Sequence, residues 1–240
     1  MAATSSFRAV GVLGGMGPLA TVDYLKKIIE ETPANCDQDH VPYFLASIPQ
    51  TPDRTASILR GALSPINAML LGIRSLEQAG AGCVTIACNT AHHWSDEIVL
   101  QTELPLLHIA DAVVTELTKR ASYGDSIGIL STAGTIKSGF FQERLSAAGY
   151  RVLMSTASEF DEWVSPGIQL VKQGDVAAGG RLLGFAALAL RERRCDKLIF
   201  ACTEIPFALA SINHESLAYG LDATRALARS AVTWWENQSR

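Results

Sequence analysis

The sequence predicts an α/β fold of two halves, each with its own parallel sheet, on three observations. Short β-prone runs alternate with helical patterns along the chain, as in parallel strands joined by right-handed crossovers. Two apolar runs end alike, Thr85-Ile86-Ala87-Cys88-Asn89-Thr90-Ala91-His92 and Ile199-Phe200-Ala201-Cys202-Thr203-Glu204-Ile205-Pro206. Each delivers a thiol and then polar side chains, which is how an open α/β sheet presents chemistry at the carboxyl end of a strand. Finally, 75 positions separate Leu13 from Cys88 and 72 separate Leu130 from Cys202, so both thiols follow an opening strand at nearly the same phase, a weak internal duplication.

Ala9-Val10-Gly11-Val12-Leu13 is the first strand. It enters Gly14-Gly15-Met16-Gly17-Pro18, where glycines allow turns closed to other residues and Pro18 suits the first turn of a helix. Leu19, Val22, Leu25, Ile28 and Ile29 continue at helical spacing up to Pro33. The loop lacks the full Gly-x-Gly-x-x-Gly spacing and the P-loop Gly-Lys-Ser/Thr, so a tight turn is favoured over nucleotide binding. Tyr43-Phe44-Leu45-Ala46-Ser47-Ile48 is the second strand, and two prolines stiffen the loop Pro49-Gln50-Thr51-Pro52-Asp53-Arg54-Thr55 after it. Arg54 there can meet a carboxylate with a two-pronged hydrogen bond, although spacing alone reads it as a surface arginine.

Ser64, as N-cap, and Pro65 open a helix with Ile66, Met69, Leu70, Ile73 and Leu76 on one face, closed by Gly80. The strand Cys83-Val84-Thr85-Ile86-Ala87 then leads to Cys88, with a helix expected from about Ala91. Cys83, at the apolar start of that strand, is expected to be inert. His92 and His93 follow Cys88 closely enough to be acid–base groups at the rim of a site. Leu106-Leu107-His108-Ile109 reads as a fourth strand, in which His108 is a core histidine, and a helix follows from Asp111.

The pattern then restarts. Ser126-Ile127-Gly128-Ile129-Leu130 enters Ser131-Thr132-Ala133-Gly134-Thr135, with a helix near Lys137. Arg151-Val152-Leu153-Met154 is a strand, Asp161 to Lys172 a helix ended by Gly174, and Asp175 to Arg194 a longer one. Lys172 in a last turn is most simply a cation at a helix C-terminus. Leu198-Ile199-Phe200-Ala201 carries Cys202, followed by a short strand near Leu217-Ala218-Tyr219 and a helix from Asp222 through Trp234 that returns to the first half. Residues 1–112, completed by 221–240, are expected to form one domain and residues 113–220 the other.

With 48% hydrophobic residues in 240, the chain has enough apolar side chain for a large core. A formal net charge of −4 gives no basic footprint for nucleic acid, while small anions need only local cations. The five cysteines include no Cys-x-x-Cys pair and fit a reducing, cytoplasmic setting. Met1 to Arg8 lacks the pattern of a signal peptide and reads as a frayed tail, and no apolar stretch is long enough to span a membrane.

Four readings compete for Cys88 and Cys202. As core residues they would leave the following Asn89-Thr90 and Thr203-Glu204 to be satisfied by the core. As metal ligands they lack a His or Cys at ligand spacing. As a redox disulfide they would have to bond across two strand ends that more naturally flank a ligand. As an acid–base pair they have a chemical logic: inverting a carbon stereocentre needs a base to take the α-proton and an acid to return one on the other face. A thiolate and a thiol do both, with Lys172, Arg54 or a helix N-terminus expected to favour the thiolate. On the residues alone, the acid–base pair and structural thiols both stay open.

The combination of Gly14-Gly15-Met16-Gly17-Pro18, Gln50-x-Pro52-Asp53-Arg54-Thr55, Cys88-Asn89-Thr90-Ala91-His92 and Ala201-Cys202-Thr203-Glu204 resembles the aspartate racemases of the aspartate/glutamate racemase superfamily, from about Val10 to Asp222. The resemblance implies two pseudo-symmetric Rossmann-like (flavodoxin-like) domains with the active site in the cleft between them, a homodimer, no cofactor, no metal, and a dicarboxylic amino acid as substrate. It makes Cys88 and Cys202 the catalytic pair, each acting on one enantiomer. Met16, Gln50, Asn89, Thr90, Thr132 and Thr203 match positions holding the amino acid's polar groups. Arg54 matches the group that receives the side-chain carboxylate, reversing the surface reading, and Lys172 assists there. Glu204, counted with the substrate-binding set, stands where glutamate racemases carry a His, which favours aspartate, with glutamate as a further substrate. Ala201 departs from the Gly that many relatives have there. On the same scaffold, hydantoin racemase and maleate isomerase chemistry are alternatives, and a non-catalytic amino-acid-binding protein is another.

Overall fold

β1 (Ala9–Gly14) is buried at every position, as a strand covered on both faces must be. The computed structural model describes residues 8–238 and places β1 at the centre of a sheet ordered β2-β1-β3, with β2 (Tyr43–Ser47) and β3 (Ala81–Ile86) both parallel to it. Gly15 turns out of β1 at φ +89°, and a Cβ there would stand 2.4 Å from the backbone N of Ile48, so only glycine lets the two loops meet.

α1 (Pro18–Glu31) starts at its proline, as expected. Its buried face is nevertheless Thr21, Tyr24, Lys27 and Ile28, while Leu19 and Val22 face outward. The polar docking contacts explain this turn. Thr21 Oγ1 accepts from Gly15 N (2.8 Å), and Lys27 donates to Thr224 Oγ1 (2.8 Å) and pairs with Asp23 and with Asp222 (2.6 Å).

α2 (Arg54–Arg60) is capped by Asp53, which accepts from Ala56 N at 2.6 Å. α3 (Ile66–Ala79) ends on left-handed Gly80 as expected, though its N-cap is Pro65, one residue later than Ser64. A 3-10 turn, Thr90–Trp94, stands where a helix was expected from Ala91, and only then comes α4 (Ser95–Val99). The expected fourth strand shrinks to one bridge between Leu106 and Val84. Pro105 precedes it and His108 at once caps α5 (Ile109–Leu117), its Nδ1 accepting from Ala110 N at 3.1 Å. α5 runs unbroken across residue 112.

The second sheet is ordered β5-β4-β6-β7, all parallel. β4 (Ser126–Ser131) leads into α6 (Ala133–Ser138), which begins earlier than Lys137 because Thr132 caps it, and α7 (Phe140–Ala147) follows. After β5 (Arg151–Met154), the helix expected at Asp161 starts at α8 (Ala157–Glu159), where Thr156 and Glu159 form a reciprocal capping box. It passes through a π-turn, Phe160–Val164, into α9 (Ser165–Lys172). α10 (Val176–Glu192) is capped by Asp175, and β6 (Lys197–Ala201) leads to α11 (Glu204–Ser211). The last strand, β7, lies at Gly220–Asp222 rather than near Leu217, because His214 caps a 3-10 turn over Glu215–Ala218.

α12 (Ala223–Gln238) packs on α1 and α5, the return to the first half that the sequence led us to expect. One apolar core joins Val12, Ile28 and Val113 to Ile127, Leu145 and Ile199 through Leu227 and Ala231 of α12. The tail reading of residues 1–7 falls outside the described residues. No described helix is long and apolar enough to cross a membrane.

Candidate active site

Cys88 and Cys202 each stand just past the carboxyl end of a strand, β3 and β6, and are 7% and 6% exposed. Parallel strands of the two halves thus bring one thiol apiece to a shared cavity of about 30 Å³, also lined by Met16, Arg54, Asn89, Thr90, Thr132, Lys172, Thr203 and Glu204. Among the residues expected at the site, Gln50 does not line it. Thr51 folds inward, its Oγ1 donating to Ile48 O (2.8 Å), and Gln50 is left exposed on the turn.

The surroundings of Cys202 differ from expectation. Its Sγ donates to Glu204 Oε2 (2.9 Å), which also accepts from Thr203 Oγ1 (2.8 Å), and Lys172 Nζ lies 3.9 Å from the other carboxylate oxygen. Burial and then the Glu204 charge push the Cys202 thiol well above its ordinary pKa, and Lys172 opposes them without prevailing. Nearby cations therefore do not make Cys202 a thiolate as it stands; it is a hydrogen-bonded thiol. For Lys172, burial favours the neutral amine, but the Glu204 carboxylate opposes it and the ammonium's pKa stands above the usual lysine value.

Arg54 opens α2 and is braced against its own loop, Nη1 donating to the carbonyls of Thr51 (3.1 Å) and Pro52 (3.0 Å). The Asn89 side chain is 3% exposed, and neither its oxygen nor its nitrogen has a partner among the described residues. Each such buried group costs about 1–3 kcal/mol unless something meets it, so this amide is poised for a polar ligand.

Neither histidine after Cys88 lines the cavity. His92 is 1% exposed, donates from Nδ1 to the Cys88 carbonyl (3.0 Å) and lies edge-on to His108 with ring centroids 4.8 Å apart. Burial, and next the neighbouring His108, lower its pKa to about 3. It is a neutral brace behind Cys88 and not an acid–base group at the rim. His93 is exposed and stacks edge-on to Trp94. Cys83 is fully buried, and burial lifts its thiol to about 12, in line with an inert residue.

Asp53 and Thr55 also line the cavity and were not singled out from the sequence, although both sit in the Pro-Asp-Arg-Thr run. Thr135 was missed as well. Its hydroxyl contacts both Thr90 Oγ1 (2.9 Å) and Thr132 Oγ1 (3.1 Å), and the Thr-x-x-Thr spacing at the start of α6 is the signal for it.

The model of the family described as Asp/Glu/Hydantoin racemase matches residues 13–231. Among solved structures, the aspartate racemase of Picrophilus torridus superposes with a TM-score of 0.83 at 31% identity, covering 95% of this chain and 94% of that one. The Bacillus subtilis broad specificity amino-acid racemase RacX is 26% identical over 239 residues, 93% of this chain and 96% of its own. A glutamate racemase of Pseudomonas paraeruginosa is 29% identical over 247 residues, 95% of this chain and 81% of its own.

Proposed function

Because the chain belongs to the Asp/Glu/hydantoin racemase family, we propose that it interconverts L- and D-aspartate, and also glutamate, by passing the α-proton between Cys88 and Cys202 without a cofactor. The observation that carries this reading is that two buried thiols, one from the end of a strand in each half, line the same cavity. In one direction Cys88, as thiolate, takes the α-proton, and the electron pair left on carbon spreads into the α-carboxylate. Cys202 returns a proton from its S–H on the other face. The reverse direction exchanges the two roles, as a two-base inversion requires.

Asn89, with both polar atoms unmet, would take part of the amino acid's polar end together with Thr90, Thr132 and Thr203. Arg54 and Lys172 would receive the side-chain carboxylate, which an Arg fork and a Lys point charge both suit. A broader substrate range is the second reading. Lys172 already faces Glu204 at 3.9 Å, so part of the positive charge for a second carboxylate is offset. Glu204 itself is assigned here to Cys202 rather than to the substrate.

A panel of amino acids scored by chiral chromatography tests these readings. Aspartate should racemise fastest; turnover led by neutral or basic amino acids would replace the dicarboxylate reading with the broad one, and no turnover of any acidic amino acid would sink the assignment. Cys88→Ala and Cys202→Ala should each cut racemisation by about a thousandfold or more, the scale of a lost acid or base, and full retention in either would refute the two-thiol mechanism.

A further inference from the structure

Three threonine hydroxyls close a triangle where the two halves meet. Thr90 Oγ1, in the turn after Cys88, lies 2.9 Å from Thr132 Oγ1 and 2.9 Å from Thr135 Oγ1, and the last two are 3.1 Å apart. Thr132 caps α6 by accepting from Thr135 N at 3.2 Å. The halves come this close because Gly134 has no side chain. A Cβ there would stand 2.8 Å from Thr90 Cγ2 and 2.9 Å from Thr55 Oγ1. Thr90 and Thr132 line the cavity, whereas Thr135 is 1% exposed and does not.

A hydroxyl has one proton to donate and two lone pairs to accept with. Three O–H groups satisfy the three edges of a closed triangle and leave no donor over. An entering carboxylate offers acceptors only. To meet both of its oxygens, Thr90 and Thr132 turn their O–H groups outward, and the edges they donated open. Thr135, away from the cavity, keeps its O–H inside, where it points between those two oxygens, 2.9 and 3.1 Å away, as a three-centre donor. The Thr135 proton then faces the lone pairs of both, and each outward O–H is polarised by it.

We propose that Thr135 is a positioning residue for the substrate's carboxylate: its buried hydroxyl aims those of Thr90 and Thr132, one from each half, at the same anionic group. This rests on the racemase reading above. Without the Thr135 hydroxyl, the two outward-turned oxygens face each other at 2.9 Å with no proton between them, so one turns back to donate to the other and the site loses a donor.

The test compares Thr135→Val, which keeps the shape and loses the hydroxyl, with Thr135→Ser, which keeps the hydroxyl, each with a thermal melt and with both enantiomers of aspartate. Thr135→Val should raise KM about five- to tenfold with kcat within about twofold, the scale of one hydrogen bond made to ground and transition state alike. Thr135→Ser should restore KM to within about twofold of wild type. An unchanged KM in a Thr135→Val protein that melts like wild type overturns the proposal, as does an equal rise in both variants, which would make shape the cause. Should Thr135→Val fail to fold, Thr135→Ala takes its place under the same criteria. Wild-type turnover is measured first: a chain inactive toward every acidic amino acid sinks the racemase reading, whereas an active chain with an unmoved KM sinks only the role of Thr135.

Discussion

Cys202 holds its proton through two effects of the same sign, burial and the carboxylate two positions on, which accepts the S–H at 2.9 Å. A raised thiol pKa keeps the acid form present until the pH climbs through that pKa and lost beyond it. In the direction that uses Cys202 as the acid, kcat/KM should therefore stay high into the alkaline range. Glu204→Gln removes the charge and leaves the burial, so the alkaline limb should move toward neutral pH while staying above that of an ordinary thiol. A pH–rate profile reads this directly, and an unmoved limb would show that Glu204 does not control the Cys202 proton. The thiols were legible in the sequence because a thiol followed by polar residues at a strand end is a local pattern, whereas Arg54 and Lys172 as substrate-binding groups came only from the family resemblance, their spacing alone reading as a surface arginine and a helix-end cation. The tie between Cys202 and Glu204 was not legible, because it depends on how far burial outweighs a lysine 3.9 Å from that carboxylate. Gln50 stands off the cavity for a local reason as well: the turn buries Thr51 in its stead.

Elements of the two halves meet at the site, where α6 packs closely on α2 and the Thr90 turn. Gly134→Ala would place a methyl 2.8 Å from Thr90 Cγ2 and 3.1 Å from Thr55 Cα, a clash that costs about 1–3 kcal/mol if relieved by movement. The movement separates the halves that carry the thiols, so kcat should fall by about tenfold or more, as a misplacement of reacting groups does. Steady-state kinetics beside a melting curve checks this, and wild-type kcat in a destabilised Gly134→Ala protein would mean that thiol spacing is set elsewhere. Most strands and helices were readable from alternation and capping residues. Among the exceptions, three share one physical reason: local side-chain caps redrew their ends. His108 cut the expected strand at Leu106 to a bridge, His214 pushed the last strand to Gly220–Asp222, and Thr156 with Glu159 started a helix before Asp161.

Across the whole molecule, α12 ties the halves together, packing on α1 and α5 while closing a core shared with β4 and β6. We propose that the division between the two domains falls after α5, because that helix packs on α12 along with α1 and crosses residue 112 intact. Lys27, with its side chain 5% exposed between Asp23 and Asp222, links α1 to the start of α12. Lys27→Ala leaves those carboxylates without their buried partner and should cost about 3–5 kcal/mol in urea unfolding. A loss under about 1 kcal/mol would mean that water replaces the pair freely.

The central claim is that one substrate carbon is served by a base from one half and an acid from the other. Racemisation of L- and of D-aspartate in deuterium oxide, followed to low conversion by proton NMR and chiral separation, addresses it most directly. We expect the product enantiomer to carry deuterium at the α-carbon from either direction, while the recovered starting enantiomer keeps its α-proton. Product that retains the substrate's own proton, or early label in the starting enantiomer equal to that in the product, would contradict two thiols acting on opposite faces.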